Sequence, residues 1–101
     1  MRLRSRVDAN QAEITAALRK IGASVQPIHT LGRGVPDLLV CFLGVLYLIE
    51  VKDGNQPPSR QRLTDDERKW RVSWGGPVYM ARSVDEALRI FGVEEKCPYL
   101  T

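Results

Sequence analysis

Histidine and cysteine are both scarce in this chain, with one His and two Cys among 101 residues. Cys41 and Cys97 lack the close paired spacing of thiolate ligands, so neither a zinc site nor a disulfide scaffold is expected. Cys41 lies in the most apolar stretch, where a free thiol behaves as a small hydrophobe; the expected setting is a reducing, cytoplasmic one. Long hydrophobic runs are missing too. The longest, LLVCFLGVLYLI from Leu38 to Ile49, is too short to cross a bilayer as a helix, so no membrane partner is expected. The opening MRLRSRVDAN has no apolar signal-peptide core. There is no repeat and no low-complexity segment. Neither sign of charge dominates: the formal net charge is +3, which is compatible with a polyanionic partner without requiring one.

What is present is the composition of one globular domain, 44% hydrophobic and 27% charged, so residues 1–101 are expected to build a single core. Arg2, Arg4 and Arg6 form a basic N-terminal arm over residues 1–7. Asp8, with Gln11 three residues on, is placed to cap a first helix whose Ile14, Ala17, Leu18 and Ile21 make one buried stripe. Gly22 ends it. SVQPIHT reads as a strand that Pro27 confines to an edge or a bulge. LGRGVP is a loop, DLLVCF and VLYLIEVK are strands, and the Gly- and Pro-containing stretch 53–62 is a mobile loop. Thr64 and Glu67 form a capping box for a second helix reaching Trp74, broken by GGP. VYMA is a short strand. Ser83 and Glu86 open a last helix that Gly92 closes. The expected fold is therefore α/β, with an α-β-β-β-α-β core, a mixed central sheet and flanking helices.

The chemistry concentrates at IEVKDG. A turn centred on Leu43 and Gly44 sets Asp37 directly opposite Glu50, with Cβ atoms roughly 4.5–5.5 Å apart. Lys52 shares that face, because strand side chains alternate. Two carboxylates held this close repel each other unless a cation lies between them. Mg²⁺ suits such a site, since it takes one or two carboxylates plus waters and phosphate oxygens. An ammonium beside it could orient or deprotonate a water and offset charge on a phosphate. Glu13, next to buried Ile14, is a third acid that could point at the sheet. Gly32 and Gly34 allow a backbone to come close to a ligand near Asp37.

Pro36-Asp37 followed by Glu50-Val51-Lys52 resembles the PD-(D/E)XK nuclease superfamily, whose fold is restriction-endonuclease-like. The helix carrying Glu13 ahead of the strands resembles the Holliday junction resolvase branch. GVPDLLV…YLIEVKDG…LTDDERKW is most similar to the virus-type replication-repair nuclease (VRR-NUC) family. The resemblance implies that Asp37 and Glu50 bind Mg²⁺, with Mn²⁺ as a substitute. Val51 lends its carbonyl oxygen, Lys52 is the catalytic lysine, and Glu13 contacts metal through water. It also implies a DNA endonuclease of bacteriophage or mobile-element type, working in the host cytoplasm, with branched or flap structures as candidate substrates. A homodimer or higher two-fold assembly is expected, with contacts around Trp70, Trp74 and the C-terminal CPYL. Many relatives carry Gln on the helix after the ExK strand; Glu67 occupies the comparable position here, and Gln61 is a nearby substitute.

Arg33, Arg60 and Arg62 are the expected phosphate contacts. A single histidine argues against an HNH-type nuclease, and His29 reads as a strand-end residue satisfied by its neighbours, with substrate contact as the alternative. Trp70 and Trp74, one helical turn apart, read as a packed pair. The competing functional reading is a non-catalytic nucleic-acid-binding or assembly module on the same fold.

Overall fold

The apolar run from Leu38 to Ile49 folds back on itself at a two-residue turn. Leu43 and Gly44 have φ of 53° and 82°, the left-handed pair that matches the twist of a tight hairpin. Strands β2 (Leu38–Phe42) and β3 (Val45–Val51) pair antiparallel, with Leu38 opposite Ile49 and Phe42 opposite Val45. One further step sets Asp37 across from Glu50, as the sequence implied. The computed structural model describes residues 2–93, with side chains from Ala9 onward. Cys97, the CPYL contact and the side chains of Arg2, Arg4 and Arg6 lie outside what it describes.

Strand β1 (Ser24–Pro27) flanks β2 antiparallel and β4 (Tyr79–Ala81) flanks β3 in parallel, giving a mixed sheet ordered β1-β2-β3-β4. Pro27 therefore sits in an edge strand, where its missing N–H costs no central ladder bond. The strand expected over SVQPIHT stops at Pro27, and His29–Leu31 turn into a short 3-10 helix instead.

Helix α1 (Arg2–Lys20) starts well before the expected cap at Asp8. RLRSRV contains no Gly or Pro to break it, so Asp8 falls inside the helix and the backbone of the expected arm is helical. Helices α2 (Asp65–Trp74) and α3 (Val84–Ile90) begin at their predicted caps. The Thr64 side chain accepts from the Glu67 N–H at 3.2 Å, and Glu67 Oε1 accepts from the Thr64 N–H at 2.8 Å. At α3 only half of the box forms: Ser83 accepts from Glu86, while the Glu86 carboxylate turns to the Arg82 N–H.

The core lies on one face of the sheet. Ile14 and Leu18 of α1 and Ala87 and Leu88 of α3 pack against Val25, Leu38, Val40, Ile49, Val51 and Ala81. By strand alternation, Asp37, Glu50 and Lys52 belong to the opposite face. That face is thinly covered: Leu46 is exposed, and α2 buries no residue completely. Trp70 and Trp74 stack with ring centroids 4.9 Å apart and planes 17° from parallel. The pair packs on itself rather than into the core, since Trp74 remains 52% exposed.

The loop before Asp37 docks on α2. Gly34 has φ of 86°, and a Cβ there would collide with the backbone of Asp66. The close approach that its missing side chain permits is thus to the start of α2, not to a ligand. The 53–62 loop contains local structure of its own. Pro58–Arg60 form a 3-10 turn, the Gly54 N–H bonds to the Arg82 carbonyl, and Gln61 Nε2 donates to the carbonyls of Gln56 and Gly54.

Candidate active site

Asp37 stands just ahead of β2 and is fixed by β3: its Oδ2 accepts from the Val51 N–H at 2.8 Å. The carboxylate thereby takes the place that a strand carbonyl would hold in the ladder. Glu50, next to the last residue of β3, is only 4% exposed. Lys52 leaves β3 with its N–H on the Ala81 carbonyl, and α1 caps it from the other side, Asn10 Nδ2 donating to the Lys52 carbonyl at 2.8 Å. The Lys52 ammonium lies 3.6 Å from Glu50 Oε2 and donates to both oxygens of Glu67, at 2.9 and 3.1 Å. Three carboxylates and one ammonium meet at the open end of the hairpin.

The electrostatics follow from that crowding. Burial, reinforced by the neighbouring Asp37 and Glu67 carboxylates, pushes Glu50 up from 4.5 to about 9 against the pull of Lys52. Burial also raises Asp37, although hydrogen bonds from Val51 and Glu50 oppose it. Burial acts on Glu67 in the same direction, but the Lys52 ammonium and the Thr64 N–H outweigh it and hold that carboxyl below its usual range. At neutral pH the cluster thus keeps a proton on Glu50 and a charge on Glu67. Among the described residues, no group of three or more His, Cys, Asp or Glu side chains forms a ready-made metal cage. Two hard carboxylate ligands are nevertheless enough for Mg²⁺, which completes its shell with water and phosphate oxygens. A cation would also relieve the repulsion among the crowded carboxylates.

A solved structure described as a VRR_NUC domain superposes on this architecture with a TM-score of 0.56 and 27% identity, covering 84% of this chain and 92% of that one. The chain has the VRR_NUC nuclease fold. No family model matches the sequence, and no curated protein matches it. The mixed four-stranded sheet with flanking helices expected from the sequence is observed, and it matches that fold. No helix among the described residues is long and apolar enough to cross a membrane.

Within the VRR_NUC fold, the residues singled out from the sequence separate into two sets. Asp37, Glu50, the Val51 backbone and Lys52 come together. Glu13 makes no hydrogen bond or ion pair with them among the described residues. It is exposed on α1, whose inward residues are Gln11, Ile14, Thr15 and Leu18, and α1 covers the face of the sheet opposite the acids. A helix residue next to the buried stripe is turned about 100° away from it, and here that turn leads to solvent. Arg33, Arg60 and Arg62 are exposed. Arg33 has φ of 56°, between two glycines that also have positive φ, so the GRG turn throws its side chain outward beside the Asp37 loop. Gln61 braces the 53–62 loop with its amide.

Sequence reasoning alone misses three contributors. Glu67 reads as a cap, a role its spacing from Thr64 announces, and as the residue where many relatives carry Gln; its bond to Lys52 depends on how α2 docks. Asn10 and Gln11 read as ordinary residues of the helix start. Their signal is present all the same: two adjacent amides just ahead of the apolar stripe of α1. Asn10 reaches the Lys52 carbonyl, and Gln11 Nε2 lies 3.0 Å from His29 Nδ1.

Proposed function

We propose that this chain is a Mg²⁺-dependent endonuclease that hydrolyses phosphodiester bonds in DNA, with Mn²⁺ able to substitute. The observation that carries the reading is the buried Glu50 carboxyl, pushed up to about 9 between Asp37 and Glu67, with the Lys52 ammonium 3.6 Å away. A structural strand end has no reason to hold such a cluster, because unpaired buried carboxyl groups are costly. The VRR_NUC neighbour supports the same class.

In this reading Asp37 and Glu50 hold the ion, and the Val51 carbonyl joins them. When bound, the ion supplies Lewis-acid polarisation of a phosphoryl oxygen. Lys52 is set to place a water against the scissile phosphorus and to offset the negative charge that grows on the phosphate oxygens. Glu67 holds that ammonium in position by accepting two of its protons. The exposed Arg33, Arg60 and Arg62 serve as phosphate contacts in this reading. The substrate is branched or flap DNA, in a nuclease of bacteriophage or mobile-element type. Such DNA presents two strands to cut, which a two-fold homo-oligomer would meet with two sites. The stacked Trp70–Trp74 pair, with Trp74 52% exposed, offers the apolar contact.

The test is a panel of linear duplex, single-stranded, flap, splayed and four-way-junction DNA, incubated with Mg²⁺, Mn²⁺ or EDTA. Cleavage of a branched form in Mg²⁺ and none in EDTA is expected. DNA binding that never leads to cleavage in any metal would leave a binding module instead.

A further inference from the structure

His29 stands at the end of the sheet where the acids lie. The residue before it, Ile28, donates its N–H to the Asp37 carbonyl at 2.8 Å. Successive residues of α1 touch both neighbours of the cluster: Asn10 holds the carbonyl of Lys52, and Gln11 holds the ring of His29. The ring and the ExK turn thus flank one turn of the same helix. Gln11 is only 5% exposed, so its amide is not free to wander. Its Nε2 lies 3.0 Å from His29 Nδ1, and its Oε1 is buried without a partner. Turning the amide over would bury an unpartnered NH₂ group instead, and an orphaned donor is the costlier of the two. With the amide donating, Nδ1 is an acceptor, the ring is neutral, and its one proton sits on Nε2. Among the described residues Nε2 has no hydrogen-bond partner, and it is not among their buried unpaired atoms. It therefore faces solvent as a donor, on a half-buried ring whose preceding residue, Ile28, bonds to the Asp37 backbone.

We infer that His29 is a substrate-contacting residue whose Nε2–H donates to a non-bridging phosphate oxygen of the DNA backbone, with Gln11 as the positioning residue that fixes its tautomer. The inference rests on the nuclease reading above. It assigns a neutral donor to the rim of a site whose other expected phosphate contacts are arginines. A neutral donor adds affinity and direction without releasing a counterion, so its loss should not change the salt slope of binding. The orphaned Gln11 oxygen is the cost of keeping the imidazole in this state.

The experiment compares His29→Ala, His29→Gln, His29→Asn and Gln11→Leu. Binding of a fluorescein-labelled duplex is measured with Ca²⁺ in place of Mg²⁺ to hold cleavage off, beside urea midpoints and cleavage kinetics in Mg²⁺. His29→Ala should weaken binding roughly tenfold, the scale of removing one hydrogen bond to a charged group, and raise KM with kcat little changed. His29→Gln, whose amide reaches the Nε2 position, should restore most of the affinity. His29→Asn, which reaches only the Nδ1 position, should not. Rescue by Asn and not by Gln would make the contact with Gln11 merely structural and overturn the assignment. Long-range ¹H–¹⁵N spectra should show the proton on Nε2 in the wild type and a tautomer mixture in Gln11→Leu; a proton on Nδ1 in the wild type overturns the inference without any assay of activity. Wild-type affinity in His29→Ala overturns this inference alone, whereas a wild-type protein with no affinity for DNA overturns the nuclease reading and this one together.

Discussion

Replacing Glu50 with glutamine should make the metal-free protein more stable, and the gain should grow with pH. Glu50 is 4% exposed and its carboxyl is raised from 4.5 to about 9, so between those values the folded state holds a proton that the unfolded state has released. Stability must then fall as pH rises through that window; below it the folded and unfolded states are equally protonated and the penalty vanishes. Each pH unit above the unfolded pKa costs about 1.4 kcal/mol, so the penalty at pH 7 is roughly 3 kcal/mol. Asp37, also raised, adds to the slope, whereas Glu67, which is lowered, contributes stability that is lost as pH falls. Comparing wild type with Glu50→Gln isolates the Glu50 part, since glutamine fills the same volume, is always neutral and still donates a hydrogen bond.

Urea unfolding between pH 4 and 9 provides the assay. With a slope of ~1–3 kcal/mol per molar urea, the variant's midpoint at pH 7 should lie at least about 1 M above that of the wild type. The two should coincide near pH 4. Saturating Mg²⁺ should flatten the wild-type pH dependence, because a cation replaces the proton, and leave the variant unchanged. Wild type and variant losing stability in parallel would mean that Glu50 is ionised in the fold, and the reasoning from its burial would fail.

The remaining expectations are simpler. Asp37→Ala and Lys52→Ala should each abolish most cleavage while the far-UV circular dichroism stays that of the folded chain; turnover by Lys52→Ala at the wild-type rate removes the lysine from the mechanism. Neutralising Arg60 and Arg62 together should weaken binding to all DNA sequences and reduce the slope of log affinity against log salt by roughly 0.9 for each phosphate no longer neutralised, leaving the Mg²⁺ requirement as it was. Gly34→Ala should cost about 1–3 kcal/mol from the φ of 86° alone and more from the collision with Asp66, read as a lower urea midpoint; an unchanged midpoint would mean that the loop and α2 are not docked.

The parts of the fold that were legible in the sequence are those set by neighbours in the chain. The hairpin register follows from one turn, Leu43-Gly44, and it carries Asp37 opposite Glu50 with it. Thr64 and Glu67 mark the start of α2 because a capping box is a local device. What was not legible involves residues whose partners are remote. Glu13 sits beside a buried stripe, yet only the tertiary arrangement shows that the stripe faces away from the acids. The early start of α1 was hidden because Asp8 looks like a cap whether or not helix precedes it. The bond between Gln11 and His29 joins residues far apart in sequence, and nothing in either segment requires it.

Glu67 explains why a correct local reading can still omit part of a site. Its Oε1 accepts from the Thr64 N–H and from the Lys52 ammonium alike, so one carboxylate both caps the start of a helix and holds a lysine. The cap brings Glu67 into place when α2 forms, and the fit of Gly34 against Asp66 sets α2 beside β3. Lys52 therefore gains its orientation from an element that follows it in sequence and that buries no residue of its own completely. The hairpin alone can align Asp37 with Glu50, but it cannot aim the ammonium. That step depends on the docking of α2, which is held by contacts at its first turn rather than by a hydrophobic face. In this chain the arrangement of the acids is a property of strand register, whereas the placement of the lysine is a property of tertiary packing.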